Sequence, residues 1–318
     1  MSTTVPPVTE SAAKSRTGRL KALSPARMLH WYAEISARKA GFRTETLQLP
    51  DGQLQYRVGG QGPLLLLVHG FGGDGLVTWG GPMRFLAARH TVVVPDLLWF
   101  GQSWSEGPAS LGAQADAIGR LLDVLPGSVA VAGLSYGGFV ALELAHRHPD
   151  RLRHVVILSS PGTVYQPEDL EGLLARAGTG SAEDLFIPRS ADDMVRLMRV
   201  AAPMFKYTPA WLLEDMRHYY YNAREHKLRE LMGELVGAQL EHRLRLDKAT
   251  LPSTTLVWGT EDRIFPLEIG ERLAHRLGVP LIRVDGAGHN LPFDAPGKTA
   301  FAIEQALREA NQVPGPSK

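Results

Sequence analysis

The 318-residue chain contains no cysteine. That absence excludes disulfides, thiolate zinc sites and a cysteine nucleophile together. It leaves the compartment open, because a protein without thiols is viable in any redox environment. Charge of one sign is missing too: 34 Lys and Arg stand against 33 Asp and Glu, for a net charge of +1. No strong overall field draws in DNA, RNA or an anionic membrane. Long apolar runs are also absent. The longest, such as Leu64–Val68, have the length of a strand and fall far short of the roughly 20 residues of a membrane-spanning helix. Residues 1–24 are rich in Ser, Thr and Pro and lack the apolar core of a secretory signal, so they read as a disordered lead-in and the expected location is cytoplasmic. The 11 histidines show no ligand spacing such as H-E-x-x-H, so neither a metal nor another cofactor is expected. There is no internal repeat.

What is present is the composition of a globular protein, 44 % hydrophobic and 21 % charged, in a chain long enough to bury a sizeable core. Residues 25–40 have helical periodicity, with Met28, Tyr32 and Ile35 on one face, and that face is expected to pack on the body of the protein. The helix also carries Trp31 and basic residues, which would suit a membrane surface instead. Alternating residues on either side of Pro50-Asp51-Gly52 predict a hairpin, Thr44–Leu49 with Gln53–Val58. Beyond it the apolar runs become continuous: Leu64–Val68, Thr91–Val94, Val129–Ala132 and His154–Leu158. Such runs suit strands covered on both faces, as in a parallel sheet. Helical patterns lie between them, for example Leu111, Ala115, Ile118, Leu122 and Leu125. Strand and helix alternate up to about residue 162, give way to helical pattern over residues 163–250, and resume over residues 251–312 before a loose tail at 313–318. The expected architecture is α/β, a mostly parallel central sheet flanked by helices, with a helical insertion serving as a cap.

The strongest chemical signal is Gly133-Leu134-Ser135-Tyr136-Gly137-Gly138. It fits G-x-S-x-G, directly after an apolar strand and directly before a helix. In that context a tight turn strains the serine and raises its hydroxyl above the sheet. A glycine-rich turn with an idle serine is the bland alternative. A serine hydroxyl needs a base to accept its proton, and histidine titrates in the useful range. His289, in Asp285-Gly286-Ala287-Gly288-His289-Asn290, follows a strand and lies on a glycine-rich loop. The acid that orients the base belongs between them in the chain order Ser, Asp, His. Asp262, after the strand TTLVW, stands where α/β folds place their sites. Glu261 and Asp285 are its rivals. The oxyanion donors are expected to be the backbone N–H of Tyr136 and that of Phe71 in the loop His69-Gly70-Phe71-Gly72-Gly73. That loop lacks the G-K-[ST] and G-x-G-x-x-G patterns of phosphate loops. His69 and Asp96 read as bracing residues, and Trp79 and Trp99 as packing residues.

These motifs, with HGFGG, VVVPDLLWFGQS, GLSYGG, HPDRLRHVVILSSPG, VWGTEDRIFP and GAGHN in that order, resemble the α/β-hydrolase superfamily from about residue 44 to 310. Within it the segment IPRSADDMVRLMRVAAPMF and the aromatic N-terminal helix most resemble the monoacylglycerol-lipase and bacterial lipase/esterase branch. The resemblance implies an eight-stranded, mostly parallel sheet with a helical cap. It also implies Ser135 as nucleophile, His289 as base, Asp262 as its orienting acid, and Phe71 and Tyr136 as oxyanion donors. Serine at the elbow argues against the haloalkane dehalogenase and epoxide hydrolase branches, whose nucleophile is a carboxylate. HGFGG also departs from the HGGG loop of one esterase branch and from the GPG-type loop of C–C hydrolases.

The activity expected is hydrolysis of a carboxylic ester through an acyl-enzyme on Ser135, on a small-molecule acyl substrate that could be monoacylglycerol-like. A C–C or lactone hydrolase with the same triad and a non-catalytic small-molecule receptor are the alternatives. Turnover of a chromogenic ester separates the receptor from the enzymes, and a vinylogous diketone substrate separates the enzymes from each other. The insertion is rich in Met and aromatic residues, and Met198, Met204, Phe205 and Trp211 are the candidates to line an acyl pocket, since flexible thioethers adapt to apolar shapes.

Overall fold

The computed structural model describes residues 24–203, 207–240 and 251–312. The expectations for the lead-in, for the tail and for Met204 and Phe205 lie outside the described residues. The chain enters through helix α1 (Pro25–Lys39), capped by the Ser24 hydroxyl, which accepts from the Arg27 N–H. The hairpin of β1 (Arg43–Leu49) and β2 (Gly52–Gly59) follows, and then β3 (Leu64–Val68). Two short helices, α2 (Gly75–Trp79) and α3 (Pro82–Leu86), lead to β4 (Thr91–Pro95) and the two-residue β5 (Trp104–Ser105). Next come α4 (Leu111–Val124), β6 (Val129–Leu134), α5 (Tyr136–Arg147) and β7 (Leu152–Leu158). Five helices then run in succession: α6 (Pro167–Ala177), α7 (Ala182–Phe186), α8 (Ala191–Ala201), α9 (Ala210–Tyr220) and α10 (Glu225–Leu240). The chain closes with β8 (Thr254–Gly259), α11 (Leu267–Leu277), β9 (Leu281–Val284), α12 (Leu291–Asp294) and α13 (Pro296–Gln312).

The sheet has the order β1-β2-β4-β3-β6-β7-β8-β9, with β5 paired to β2 at its edge. The pairings β1·β2, β2·β4 and β2·β5 are antiparallel, and every pairing from β4 to β9 is parallel. Residues 65–68 of β3 and 129–132 of β6 are fully buried, as expected of strands sandwiched between helix layers. Two apolar clusters lie on opposite faces of the sheet. One joins α4, α5 and the insertion helices to residues such as Leu66, Val131 and Ile157; the other joins α2, α3 and α13 to Leu65, Ala130 and Val156. The neighbours alternate along each strand, so each face of the sheet has its own core.

Helix α1 corrects an expectation. Met28 and Tyr32, assigned to the packed face, are exposed, and the helix buries Ala26 and Ala37 instead. The cause is polar. His30, on the inward side, meets Asp74 at 3.0 Å, and Glu34 takes the Arg57 Nε–H at 2.9 Å. Arg57 also donates to Asp96 at 2.9 Å and is itself 1 % exposed. A buried guanidinium needs paired acceptors on all sides, and α1 supplies one of them, which decides which face turns inward. Among the described residues no helix is long and apolar enough to cross a membrane.

Candidate active site

The site stands at the carboxyl ends of β6, β8 and β9, with the loop after β3 opposite. Strand β6 ends at Leu134 and α5 starts at Tyr136, which leaves Ser135 alone to make the turn, at φ 52° and ψ −115°. This left-handed backbone is costly for a residue with a side chain, and such strain collects at functional sites. Two glycines make the turn possible. A Cβ on Gly133 would lie 2.2 Å from the Gly137 carbonyl oxygen, and one on Gly137 would lie 2.4 Å from that of Val68. The Ser135 N–H bonds the Leu158 carbonyl of β7 at 2.8 Å, which ties the elbow to the sheet.

The acid and base loops follow neighbouring parallel strands. The Glu261 N–H bonds the Ala287 carbonyl at 2.9 Å and that of Thr260 bonds Val284 at 3.2 Å, holding the two loops together. Asp262 is buried, and its Oδ1 accepts the backbone N–H groups of Ile264 and Phe265, both at 2.9 Å. Its Oδ2 lies 3.0 Å from Nδ1 of His289. A carboxylate there accepts a hydrogen bond from the Nδ1–H and leaves Nε2 as a proton acceptor. His289 and Ser135 line the same cavity. Sequence reasoning missed Asp294, whose Oδ2 accepts the Gly288 N–H at 3.1 Å and braces the histidine loop. Burial raises its pKa. Glu261 is exposed, as is Asp285, so neither rival is placed like Asp262.

Gly70 of the loop after β3 approaches Ser135 so closely that a Cβ there would lie 3.4 Å from the serine Cβ. The Phe71 ring packs edge-on against Tyr136 and Phe100, with centroids 5.9 and 5.3 Å away. The loop is braced from beneath. His69 Nε2 accepts the Leu97 N–H at 2.9 Å, so Nδ1 carries the proton and donates to the Gly70 carbonyl at 2.7 Å. Burial lowers the His69 pKa, so the imidazole is held neutral in that tautomer. Asp96 accepts from Arg57 and from the Gly75 N–H. Both residues therefore brace the loop, as expected, and Trp79 and Trp99 are buried. Asp74 ends the loop and caps α2 by accepting the Val77 N–H at 2.9 Å. Burial would raise its pKa, but the His30 hydrogen bond and charge, with Arg57, outweigh this and hold it down to about 2. No sequence signal marked the His30–Asp74 contact.

Two cavities meet at Ser135. The smaller, about 50 Å³, runs between Phe139, Tyr165, Leu173, Met232 and Phe265. The larger, about 160 Å³, is lined by His289, Met194, Met198, Met216, Tyr220 and other residues. Met198 thus lines the same cavity as Ser135 and His289. Trp211 does not: it is 63 % exposed on α9 and lines neither cavity. Among the described residues no group of three or more His, Asp or Glu is placed to hold a metal ion.

The model of the alpha/beta hydrolase family matches residues 65–302. A pimeloyl-[acyl-carrier protein] methyl ester esterase of Aromatoleum aromaticum is 33 % identical over 263 residues, covering 77 % of this chain and 98 % of that protein. A 2-hydroxymuconate semialdehyde hydrolase of a Pseudomonas species is 30 % identical over 270 residues, covering 79 % of this chain and 89 % of its own. Among solved structures, a bacterial membrane phospholipase A superposes with a TM-score of 0.74 at 23 % identity, over 93 % of this chain and 96 % of its own. The family match spans the strained serine, the acid loop and the histidine loop alike, and on that ground the chain belongs to the α/β-hydrolase family.

Proposed function

We propose that the protein is a serine hydrolase of carboxylic esters that works through an acyl-enzyme on Ser135. The observation that carries this reading is the strained Ser135 opening into one cavity with a histidine whose Nδ1 is held by a buried carboxylate. His289 Nε2 takes the Ser135 proton as the hydroxyl oxygen attacks the ester carbonyl. The tetrahedral oxyanion meets the backbone N–H groups of Tyr136 and Phe71 at the start of α5 and in the loop beside it. His289 then returns the proton to the leaving alcohol, the C–O bond breaks, and water repeats the sequence to free the acid. The relative named as a methyl ester esterase supports this chemistry.

The leaving group must lie beside the histidine that protonates it. The cavity lined by His289, Met194, Met198 and Met216 therefore takes the alcohol, and the narrower one beyond Phe139 and Tyr165 takes the acyl chain. Both are mostly apolar, which favours an acyl ester of an apolar or amphiphilic alcohol. Met198 is then an alcohol-side residue rather than a wall of the acyl pocket. The test is fluorophosphonate labelling of Ser135 followed by a panel of esters varied separately in acid and alcohol. Absence of labelling defeats the reading. The similarity to a 2-hydroxymuconate semialdehyde hydrolase supports a second reading, C–C cleavage by the same triad. A vinylogous diketone turned over faster than any ester in the panel would establish it.

A further inference from the structure

Helix α1 has its polarity inside out. His30 and Glu34 face the buried Arg57–Asp74–Asp96 cluster, while Met28, Leu29, Trp31 and Tyr32 are each between 59 % and 68 % exposed. Helix α9 lies alongside. Its Asp215 accepts the Ala26 N–H at 2.7 Å, and the rings of His30 and Tyr219 are 5.8 Å apart. Trp211, one turn before Asp215 on the same face of α9, is 63 % exposed. Soluble surfaces scatter single apolar side chains, but a contiguous set this large marks a contact surface.

We propose that this face, Met28, Leu29, Trp31, Tyr32 and Trp211, docks the protein on an anionic lipid bilayer. Two features favour lipid over a protein partner. Trp and Tyr, apolar with one polar edge, suit the level of lipid headgroups. The charge of the sequence leading into and along the helix is also one-sided. Between Glu10 and Glu34 the sequence holds Lys14, Arg16, Arg19, Lys21 and Arg27 and no acid, and the exposed Arg38 and Lys39 end α1. A net charge of +1 averages this local excess away, yet anionic lipid responds to the cluster and not to the average. Docking would also have a use. The side of α9 carrying Met216 and Tyr220 lines the alcohol-side cavity, so one helix separates the apolar face from the site. An amphiphilic ester drawn from the bilayer would have a short path.

The proposal goes beyond the esterase reading, and its test needs no turnover. The protein is floated on a density gradient with phosphatidylglycerol-containing vesicles and, separately, with pure phosphatidylcholine vesicles. It is expected to rise with the former only and to be released by high salt. Leu29→Ser/Trp31→Ser should weaken flotation at least about tenfold while leaving the thermal transition and hydrolysis of a water-soluble ester unchanged. Tyr32→Ser carries the comparison if the double variant unfolds. A wild type that stays down with both vesicles, or a folded variant that rises as well as wild type, overturns the proposal. So does a wild-type dimer in light scattering that becomes monomeric in the variant, because the face then covers a second copy.

Discussion

Replacing Asp262 by Asn tests the triad at its least visible member. The side chain sits in a fixed cradle: Oδ1 accepts two backbone N–H groups and lies 3.2 Å from Nδ1 of His289, and Oδ2, with no other partner among the described residues, is nearer to it at 3.0 Å. An Asn satisfies the cradle by placing its carbonyl oxygen where Oδ1 stands, because Ile264 and Phe265 only donate. Its NH₂ is then forced towards His289. Two donors repel at the shorter contact, which favours an imidazole that accepts at Nδ1 and carries its proton on Nε2. In that tautomer it cannot take the proton of Ser135. The volume hardly changes and the two backbone bonds survive, so the fold should hold. A triad with the wrong tautomer loses about 10⁴ in kcat, which corresponds to roughly 5.5 kcal/mol of barrier. Stopped or steady-state hydrolysis of a p-nitrophenyl ester reads kcat, and a thermal melt checks the fold. A folded variant within tenfold of wild type would refute the reasoning. So would Glu261→Gln producing the large loss while Asp262→Asn is silent.

Other outcomes follow from the same geometry. Ser135→Ala should fold, lose fluorophosphonate labelling and lose about 10⁶ in kcat; residual turnover within tenfold of wild type would remove Ser135 as nucleophile. Gly137→Ala puts a methyl 2.4 Å from the Val68 carbonyl oxygen, so activity should collapse with a lower Tm, and an unchanged melt would show that the turn relaxes freely. In the acyl series, Leu173→Ala should move the preferred acid chain length and Met198→Ala the preferred alcohol; the opposite pattern exchanges the two cavities. The Asp74 carboxyl is held down to about 2, so its contribution to stability is present above its unfolded pKa of about 3.9 and is lost as pH falls towards 2. The His30 pKa is raised, with burial opposing and the Asp74 contact prevailing, so its share is present below about 6.5 and fades as pH rises past its folded value. The gap in Tm between wild type and Asp74→Asn should therefore be widest between these limits, and a gap independent of pH would reject the contact.

Much of this was legible in the chain. The continuous runs at Leu64–Val68 and His154–Leu158 announced parallel strands, because burial on both faces leaves no polar alternation to see. The elbow was legible because its chemistry is local: glycines two residues on either side of Ser135 answer steric demands made within one turn. What stayed hidden depends on distant partners. The inward face of α1 is set by Arg57, Asp74 and Asp96, which lie 23 or more residues away from Glu34. Hydrophobic periodicity assigns such a helix the wrong face, since it counts an ion-paired Glu34 as a solvent residue. The two cavities were hidden for the same reason, because their walls come from β6, α5 and all five inserted helices at once. Trp211 shows the limit of composition: an aromatic residue in an apolar-rich segment can still face water.

The insertion leaves the sheet at the end of β7 and returns at the start of β8, and these two strands are hydrogen-bonded neighbours in which Val155 pairs with Thr254 and Leu158 with Val257. The intervening helices therefore hang from two points that the sheet fixes, Leu158 at the carboxyl end of β7 and Thr254 at the amino end of its parallel neighbour β8. Lengthening or exchanging a segment between fixed ends costs little chain entropy. Ser135, Asp262 and His289 all lie outside this segment, on turns fastened to the strands. The molecule is in effect a socket with a replaceable head. On the proposed reading, a different head spliced between Leu158 and Thr254 would change substrate preference while leaving the turns that carry Ser135, Asp262 and His289 in place.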